Sequence, residues 1–358
     1  MPEIDVRKGM PSVELSREEF ERRFHSRFQD PAFAAVEAEL AAVTAVAWEN
    51  YTKSRKAPRT RKAGPKFADP AYDLSVDWLH ARDAIALARA RHDDPREKKR
   101  VLLINGSSRS DQTCPGEISK SFRLTKMAEP IFTEAGLAVD ILDLSLLASE
   151  MGRTIFPCKA CVSTAMPLCH WPCSCYPNHG MGQTGDWMNE IYPLWTAAHG
   201  VMIVTPVNWY QVPGGLKAMM DRLVCADGGN PDPTTTHGKH AAEAKALELK
   251  GWHYPRHLAG RIFSVVVYGD SIGVETLRRS MIDWLTDMKL VSAGALAELD
   301  AYVGYEEPYA LSHQALDRDQ AFQQDVRNAA TTLARAIRLQ AEGKFAQADA
   351  GLKEGVEK

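Results

Sequence analysis

The amino-acid sequence predicts an α/β fold, a doubly wound five-stranded parallel sheet with an N-terminal helical extension. Three observations carry this reading. Apolar runs bounded by glycine or turn residues recur from residue 101 onward, as strands buried on both faces require. Each is followed by a stretch with helical periodicity, the alternation that builds parallel sheets. The first hundred residues, by contrast, carry helical patterning alone.

In the extension, residues 1–98, Ser16 and Glu19 form a capping box, and Phe20, Phe24 and Phe28 follow on one helical face. Asp30 and Pro31 restart a helix as N-cap and first turn, with Phe33, Val36, Leu40 and Val43 as its apolar stripe. Residues 53–66 hold seven basic side chains, no acidic one and two prolines, the composition of a loop that is either solvated or in contact with a phosphate. A third helix spans 75–92 and leads into a charged linker. Beyond it, strands are expected at 101–105, 139–145, 201–206, 261–269 and 291–299. Helices are expected at 119–135, 186–198, 275–288 and 319–340, the last lined by Phe322, Val326, Leu333 and Ile337. This second domain covers 99–342 and carries two additions, a cysteine-rich loop at 157–185 and a long insertion at 224–260. Residues 343–358 form a C-terminal tail that frays. An insertion of that length inside a compact domain reads as a lid or an oligomer contact. Its His237, His240, His253 and His257 fit substrate contacts or no role better than a metal site.

Composition excludes several classes of function. With 45% hydrophobic and 25% charged residues, 358 residues can bury a sizeable core. A net charge of -3 recruits neither nucleic acid nor anionic lipid. No run approaches the length a bilayer requires and the first residues lack the apolar segment of a secretory signal, so a cytoplasmic protein is expected. Five of the seven cysteines lie between residues 158 and 175. In a reducing compartment this points to metal or redox chemistry before disulfides.

In a doubly wound sheet, ligands bind outside the carboxyl ends of the strands. Two turns meet there. The first, NGSSRSDQTCPGEISKS, offers backbone N–H groups, the hydroxyls of Ser107, Ser108, Ser110 and Ser119 and the guanidinium of Arg109, ahead of a helix whose positive end favours an anion. It lacks the lysine of nucleoside triphosphatases, so a phosphate monoester is the better guest. The second, PVNWYQVPGG, places the flat faces of Trp209 and Tyr210 and the amide of Asn208 at a strand mouth, with Gly214 and Gly215 allowing close backbone approach. A planar redox ring suits that company. The sequence GMGQTG at 180–185 matches a dinucleotide fingerprint but follows a loop rather than a strand, and is set aside.

These two spaced motifs, GSSR and PVNWYQVPGGLKAMMDRL, resemble the phosphate loop and flavin-edge loop of the flavodoxin-like NADPH-dependent FMN reductase superfamily. Within it the likeness is nearest to the iron-sulfur flavoproteins and the NAD(P)H:quinone reductases, whose proline-aromatic turn precedes a leucine-lysine helix, here Leu216, Lys217, Asp221 and Arg222. The resemblance implies a flavodoxin-like fold with FMN as cofactor. Its phosphate would lie at Ser107, Ser108, Arg109 and Ser119, and its ring beside Pro206, Val207, Asn208, Trp209 and Tyr210 and the strand end Tyr268, Gly269 and Asp270. NAD(P)H would be the co-substrate and a quinone, nitroaromatic or flavin the small-molecule acceptor; a flavodoxin-type electron carrier or redox sensor is the alternative. A homodimer or homotetramer is implied, with no nucleic-acid or membrane partner. The inserted TCPGE lengthens the phosphate loop beyond the family pattern. Cys158, Cys161, Cys169, Cys173 and Cys175 stand where iron-sulfur flavoproteins carry a more compact cysteine run. A [4Fe-4S] cluster, zinc, plain thiols and a redox disulfide all stay open, with His170 and His179 read as ordinary loop residues. No catalytic residue can be picked from the sequence.

Overall fold

The computed structural model describes residues 4–55, 57–161, 166–305 and 307–346, so most of the tail, 347–358, lies outside the described residues. The chain divides into two compact units. One comprises Met1–Asp83, Phe156–Asn189 and Val224–Pro255; the other comprises Ala84–Ile155, Glu190–Leu223 and Arg256–Lys358.

The first unit begins with α1 (Arg17–His25), a 3-10 turn at Pro31–Val36 and α2 (Glu37–Thr52). Ser16 caps α1 by accepting from the Glu19 amide at 3.2 Å, while the Glu19 carboxylate turns outward to Arg22 and Arg23 instead of closing the reciprocal box. Phe20 packs against Trp48 and Tyr51 with ring centroids 5.3 and 5.0 Å apart, and Thr44 is buried against His25. This differs from the expected stripe: Phe33, Val36 and Val43 are exposed, because the aromatic side chains of α1 select the Thr44–Trp48–Tyr51 side of α2. The run Pro31–Thr52 is long and apolar enough to cross a bilayer by length and composition, contrary to expectation. Glu37 and Glu39 within it would be costly in hydrocarbon. Part of the basic segment is also ordered: β1 (Thr60–Lys62) pairs antiparallel with β2 (Asp73–Ser75), and α3 (Val76–Asp93) follows.

The cysteine-rich loop and the insertion as far as Pro255 belong to this same unit. Within the insertion, a 3-10 turn at Pro233–Thr236 and α8 (Ala241–Leu249) replace the shapeless loop. The two segments hold each other through buried polar groups. His170 bonds Ser174 within the loop and Thr236 of the insertion through its two ring nitrogens at 2.6 and 3.2 Å, and the Trp171 amide donates to Asn230 O; the loop is tied to α3 as well, where Trp78 Nε1 donates to Pro172 O.

The second unit contains the sheet, built of β3 (Arg100–Asn105), β4 (Ala138–Asp143), β5 (Gly200–Pro206), β6 (Ile262–Gly269), β7 (Val291–Ser292) and β8 (Glu298–Tyr302). All pairings are parallel and the order is β4-β3-β5-β6, with β7 and β8 both on the outer side of β6. Taken by position, this is the 2-1-3-4-5 order of flavodoxin-like sheets. The strand count is six rather than five because the fifth position is divided. Gly294, at φ 125°, and the turn Ala295–Ala297 interrupt the ladder between the two short strands. Ser264 of β6 fills the gap, its hydroxyl donating to Ala297 O at 2.8 Å.

Alternate residues of the strands face opposite layers. Val101, Leu103, Met202, Val204 and Val266 share one cluster with Leu124, Ala128 and Phe132 of α4 (Lys120–Glu134) and Val326, Leu333 and Ile337 of α11 (Gln320–Ala341). β6 also packs against α9 (Val274–Asp287), whose Trp284 meets Trp195 of α6 (Met188–Ala197) edge-on at 6.1 Å. Expected helix starts are accurate here: Ser119 and Asp319 cap α4 and α11 by accepting from Phe122 and Phe322 amides.

At the amino ends of the strands His92 stacks on His199, with centroids 4.1 Å apart. His199 Nδ1 accepts from the Arg100 amide, so the neutral ring must carry its proton on Nε2, which faces His92 O at 3.1 Å. A second proton would have to enter at the nitrogen already facing an N–H. Burial, and then the neighbouring cations Arg261 for His92 and His92 itself for His199, push the two rings down to about 4 and about 3 from 6.5.

Two predictions follow from these buried polar groups. Ser264→Ala, which leaves Ala297 O without its donor, should lower the free energy of urea unfolding by about 1–2 kcal/mol. The unfolded chain takes up histidine protons near 6.5 and the folded pair only near 4 and 3, so stability is complete above that pH and is lost as pH falls from 6.5 toward 4. Replacing the ring, as in His199→Gln, should flatten the urea midpoint against pH in that window; an unchanged slope would show that the pair does not titrate as described.

Candidate functional site

At the carboxyl ends of β3, β5 and β6 lies a cavity of about 360 Å³. Its shape begins with Asn105, the last residue of β3. Asn105 Nδ2 donates to Asp143 Oδ1 at 2.8 Å while its Oδ1 accepts from the Ser107 amide at 3.2 Å. The chain then turns through Gly106, where an added Cβ would stand 2.8 Å from Leu216 Cδ2 and 2.9 Å from Thr205, so only glycine fits. Ser107 Oγ in turn accepts from the Arg109 amide at 3.1 Å.

Ser107, Ser108, Arg109 and Ser119 all line the cavity. Ser119 Oγ accepts from the Phe122 amide at 3.0 Å as the cap of α4, which leaves its hydroxyl proton able to donate to an anion. The inserted TCPGE has a definite part: Arg109 Nη1 donates to Cys114 O at 3.1 Å, which holds the guanidinium over the Tyr309 ring, 4.8 Å from its centroid. The opposite wall is the strand end Tyr268, Gly269 and Asp270 together with Pro206, Val207 and Asn208.

Trp209 and Tyr210 do not line the cavity. Asn208 and Gln211 bond each other through both amides, at 2.8 and 2.9 Å, and the two residues between them adopt positive φ of 48° and 64°. That is the geometry of a tight hairpin turn usually made by Asn-Gly. It displays Trp209 to solvent, 95% exposed, and lays Tyr210 over Gly273, where an added Cβ would stand 2.9 Å from its ring. Gly215 closes against Leu147, whereas Gly214 has open space around it. Leu216 and Arg222 are buried, and Lys217 pairs with Asp221 one helical turn on.

Sequence reasoning missed the third wall, Lys120, Tyr309, Ser312 and His313. Lys120 is buried with its ammonium 5.7 Å from the Tyr268 ring centroid; desolvation holds it below the ordinary lysine range, partly offset by Asp270. Tyr268 is itself pushed upward by burial, while its hydroxyl bonds Ser121 at 2.8 Å. Ser312, only 3% exposed, lines the cavity, and its buried hydroxyl has no hydrogen-bond partner among the described residues. Only the position of Lys120, directly after a capping serine, could have signalled its place; Tyr309, Ser312 and His313 lie nearly two hundred residues downstream of the phosphate turn.

A family model described as NADPH-dependent FMN reductase matches residues 99–298, more than half of the chain. The chain belongs to this family. No curated protein matches it. Solved structures similar in fold include RosB with bound 8-demethyl-8-formylriboflavin-5'-phosphate, 15% identical over 73% of this chain and 92% of that one with a TM-score of 0.44. A flavone reductase is 18% identical over 70% and 67% of the two chains, with a TM-score of 0.39. An oxidoreductase from Corynebacterium diphtheriae is 15% identical over 68% and 98%, with a TM-score of 0.38. The family makes this chain a flavin-dependent oxidoreductase, and the donor set of the cavity fits FMN: hydroxyls and cations at one end, and at the other a strand edge with backbone groups.

The cysteine-rich loop fits a metal less well. Among the described residues, no group of three or more His, Cys, Asp or Glu side chains is placed to hold a metal ion, against the expectation for Cys158, Cys161, Cys169, Cys173 and Cys175. The physical reason is visible at Cys175, where the Lys239 ammonium donates to the sulfur at 3.0 Å and supplies the positive charge a metal would bring. Cys161 Sγ lies 3.6 Å from Cys175 Sγ. The Cys161 and Cys173 thiols, with Lys239 beside them, hold Cys175 far below the ordinary thiol range, and the same contact with Cys175 pushes Cys161 up. The glycines of GMGQTG serve local packing: the Gly180 amide donates to Arg55 O, and Gly182 takes the left-handed φ of 65° that ends a 3-10 turn.

Proposed function

We propose that FMN binds in the cavity at the carboxyl ends of β3, β5 and β6, and that the protein passes reducing equivalents from NAD(P)H through it to a small acceptor such as a quinone, a nitroaromatic or a free flavin. One observation carries the reading: the cavity lined by Ser107, Ser108, Arg109 and Ser119 is also lined by Ser312, whose buried hydroxyl has no partner among the described residues. Unpaired buried polar groups are costly, and an anion that accepts from them removes the cost.

In this reading Ser107, Ser108, Ser119 and Ser312 donate hydroxyl protons to the phosphate. Arg109 neutralises it, pre-oriented by Cys114 O and Tyr309. Lys120 adds an ammonium from the α4 side, and His313, whose Nδ1 accepts from Arg123 at 3.0 Å, closes the downstream side. Pro206, Val207 and Asn208 border one edge of the ring, and Tyr268, Gly269 and Asp270 another. Bound FMN would supply the two-electron redox chemistry that links donor to acceptor. The protein orients donor and acceptor against the ring and needs no acid-base residue of its own. Trp209, held outward by its strained turn, offers a flat face at the rim for the nicotinamide donor or the acceptor. A homodimer or homotetramer belongs to this reading, supported by the exposed apolar side chains Phe33, Val36 and Val43.

Calorimetric titration with FMN and with riboflavin checks the site. The wild-type protein should bind FMN far more tightly than riboflavin. Arg109→Gln and Ser312→Ala should each weaken FMN about tenfold or more while leaving riboflavin almost unchanged, since each removes a bond to the charged phosphate. Wild-type protein that shows no affinity for FMN would overturn the reading. Steady-state turnover of NADPH with a quinone should then be measurable, and Trp209→Ala should raise the KM for NADPH about threefold or more with FMN affinity retained. A protein that binds FMN yet shows no turnover would be a carrier instead.

A further inference from the structure

We propose that Cys161 and Cys175 form a redox-active dithiol, in which the Cys175 thiolate reacts with a hydroperoxide and Cys161 resolves the product as a disulfide. This inference is independent of the flavin site. It rests on three observations within the first unit. The two sulfurs lie 3.6 Å apart although fourteen residues separate them in sequence. The Lys239 ammonium, from the insertion, donates to Cys175 Sγ at 3.0 Å. The third is a neighbouring cavity of about 610 Å³: it is lined by Ser174 and Tyr176, the chain neighbours of buried Cys175, and by Lys239, which bonds its sulfur, so a small oxidant can be held one side chain away.

The loop is built to keep the two cysteines together. Its ends are closed by Tyr176, whose hydroxyl donates to Pro157 O at 2.6 Å and whose ring stacks on Phe156 at 5.0 Å. His170, bonded to Ser174 and to Thr236 of the insertion, fixes the segment between. The thiolate is the reactive form of cysteine, and an adjacent ammonium both stabilises it and stands ready to meet negative charge on a departing oxygen.

The electrons balance as follows. Cys175 thiolate attacks one peroxide oxygen; the S–O bond forms, the O–O bond breaks, and the other oxygen leaves with a proton as alcohol, or as water from hydrogen peroxide. The Cys161 sulfur then attacks the Cys175 sulfur; the S–S bond forms, the S–O bond breaks, and hydroxide departs with the Cys161 proton as water. Two thiols are oxidised and one peroxide is reduced. A dithiol reductant restores both thiols by exchange.

The experiment uses the full-length protein, purified and treated without oxygen, with hydrogen peroxide as the probe. Samples are quenched with an alkylating agent at successive times and mapped by peptide mass spectrometry. Cys114, exposed and remote in sequence, is the internal reference for an ordinary thiol. The expected result is a Cys161–Cys175 linkage, reversed by dithiothreitol, forming about tenfold or more faster than oxidation of Cys114. In Cys161→Ser the Cys175 sulfenic acid should persist and be trapped by dimedone; in Lys239→Met the linkage should form about tenfold more slowly. The proposal is overturned if Cys175 reacts no faster than Cys114, or if it links to another cysteine in preference to Cys161. It is equally overturned if the purified protein carries about one equivalent of zinc, or an iron-sulfur cluster, bound by these thiols.

Discussion

One buried amide sets the geometry on which the proposed anion site depends. Asn105 ends β3 and its side chain spans two strands' worth of connections, donating to Asp143 at the end of β4 while accepting from the amide that opens the phosphate turn. Asp143 also accepts from the Ser145 amide at 3.0 Å, and the Gly106 amide donates to Val204 O of β5 at 2.8 Å. The carboxyl ends of β4, β3 and β5 are thereby tied at one level. Parallel register places the ends side by side; the Asn105 bonds decide which way the chain leaves them. Because Asn105 is fully buried, water cannot substitute for either partner.

Much of this was legible in the sequence for a simple reason: buried parallel strands are continuous apolar runs, and the caps Ser119 and Asp319 are local signals. The phosphate turn was readable because its donors lie within a dozen residues of one another. Three features were not. Tyr309, Ser312 and His313 reach the cavity through tertiary folding alone, and nothing in a serine's neighbours says that its hydroxyl will be buried without a partner. The divided fifth strand depends on Gly294 and on a hydroxyl of the adjacent strand, Ser264, that completes the ladder. The outward display of Trp209 follows from a backbone handedness that aromatic residues seldom adopt, so its sequence suggested a ring inside the site rather than at its rim.

The first unit shows a different limit. Its three chain segments read separately as helical extension, cysteine loop and long insertion, each short of a core of its own. In the folded chain they supply one another's hydrogen-bond partners, as in Trp78 to Pro172 and the Asn230 amide to Cys169 O. Composition could assign the cysteine-rich segment and the insertion to loops, since they are rich in Pro, Gly and polar residues. It could not show that such segments satisfy each other's backbone groups, which is what lets residues without regular structure stay buried.

The two lysines brought near the two sites illustrate how burial turns an ordinary cation into a functional one. Lys239 is set against a sulfur that can take negative charge, so its own charge is kept by a partner inside the protein. Lys120 is different: it faces the Tyr268 ring, with Asp270 as the carboxylate that partly offsets its desolvation, and its charged form is disfavoured. Together with Arg109 and the Ser312 hydroxyl it leaves the cavity with more donor capacity than the protein itself satisfies. Under the proposed function, an arriving phosphate would supply the missing acceptors, favour the charged lysine and relieve the buried hydroxyl at once. Each of those terms exists only in the folded chain, so contacts that select an anionic ligand would also couple its binding to the stability of the sheet edge.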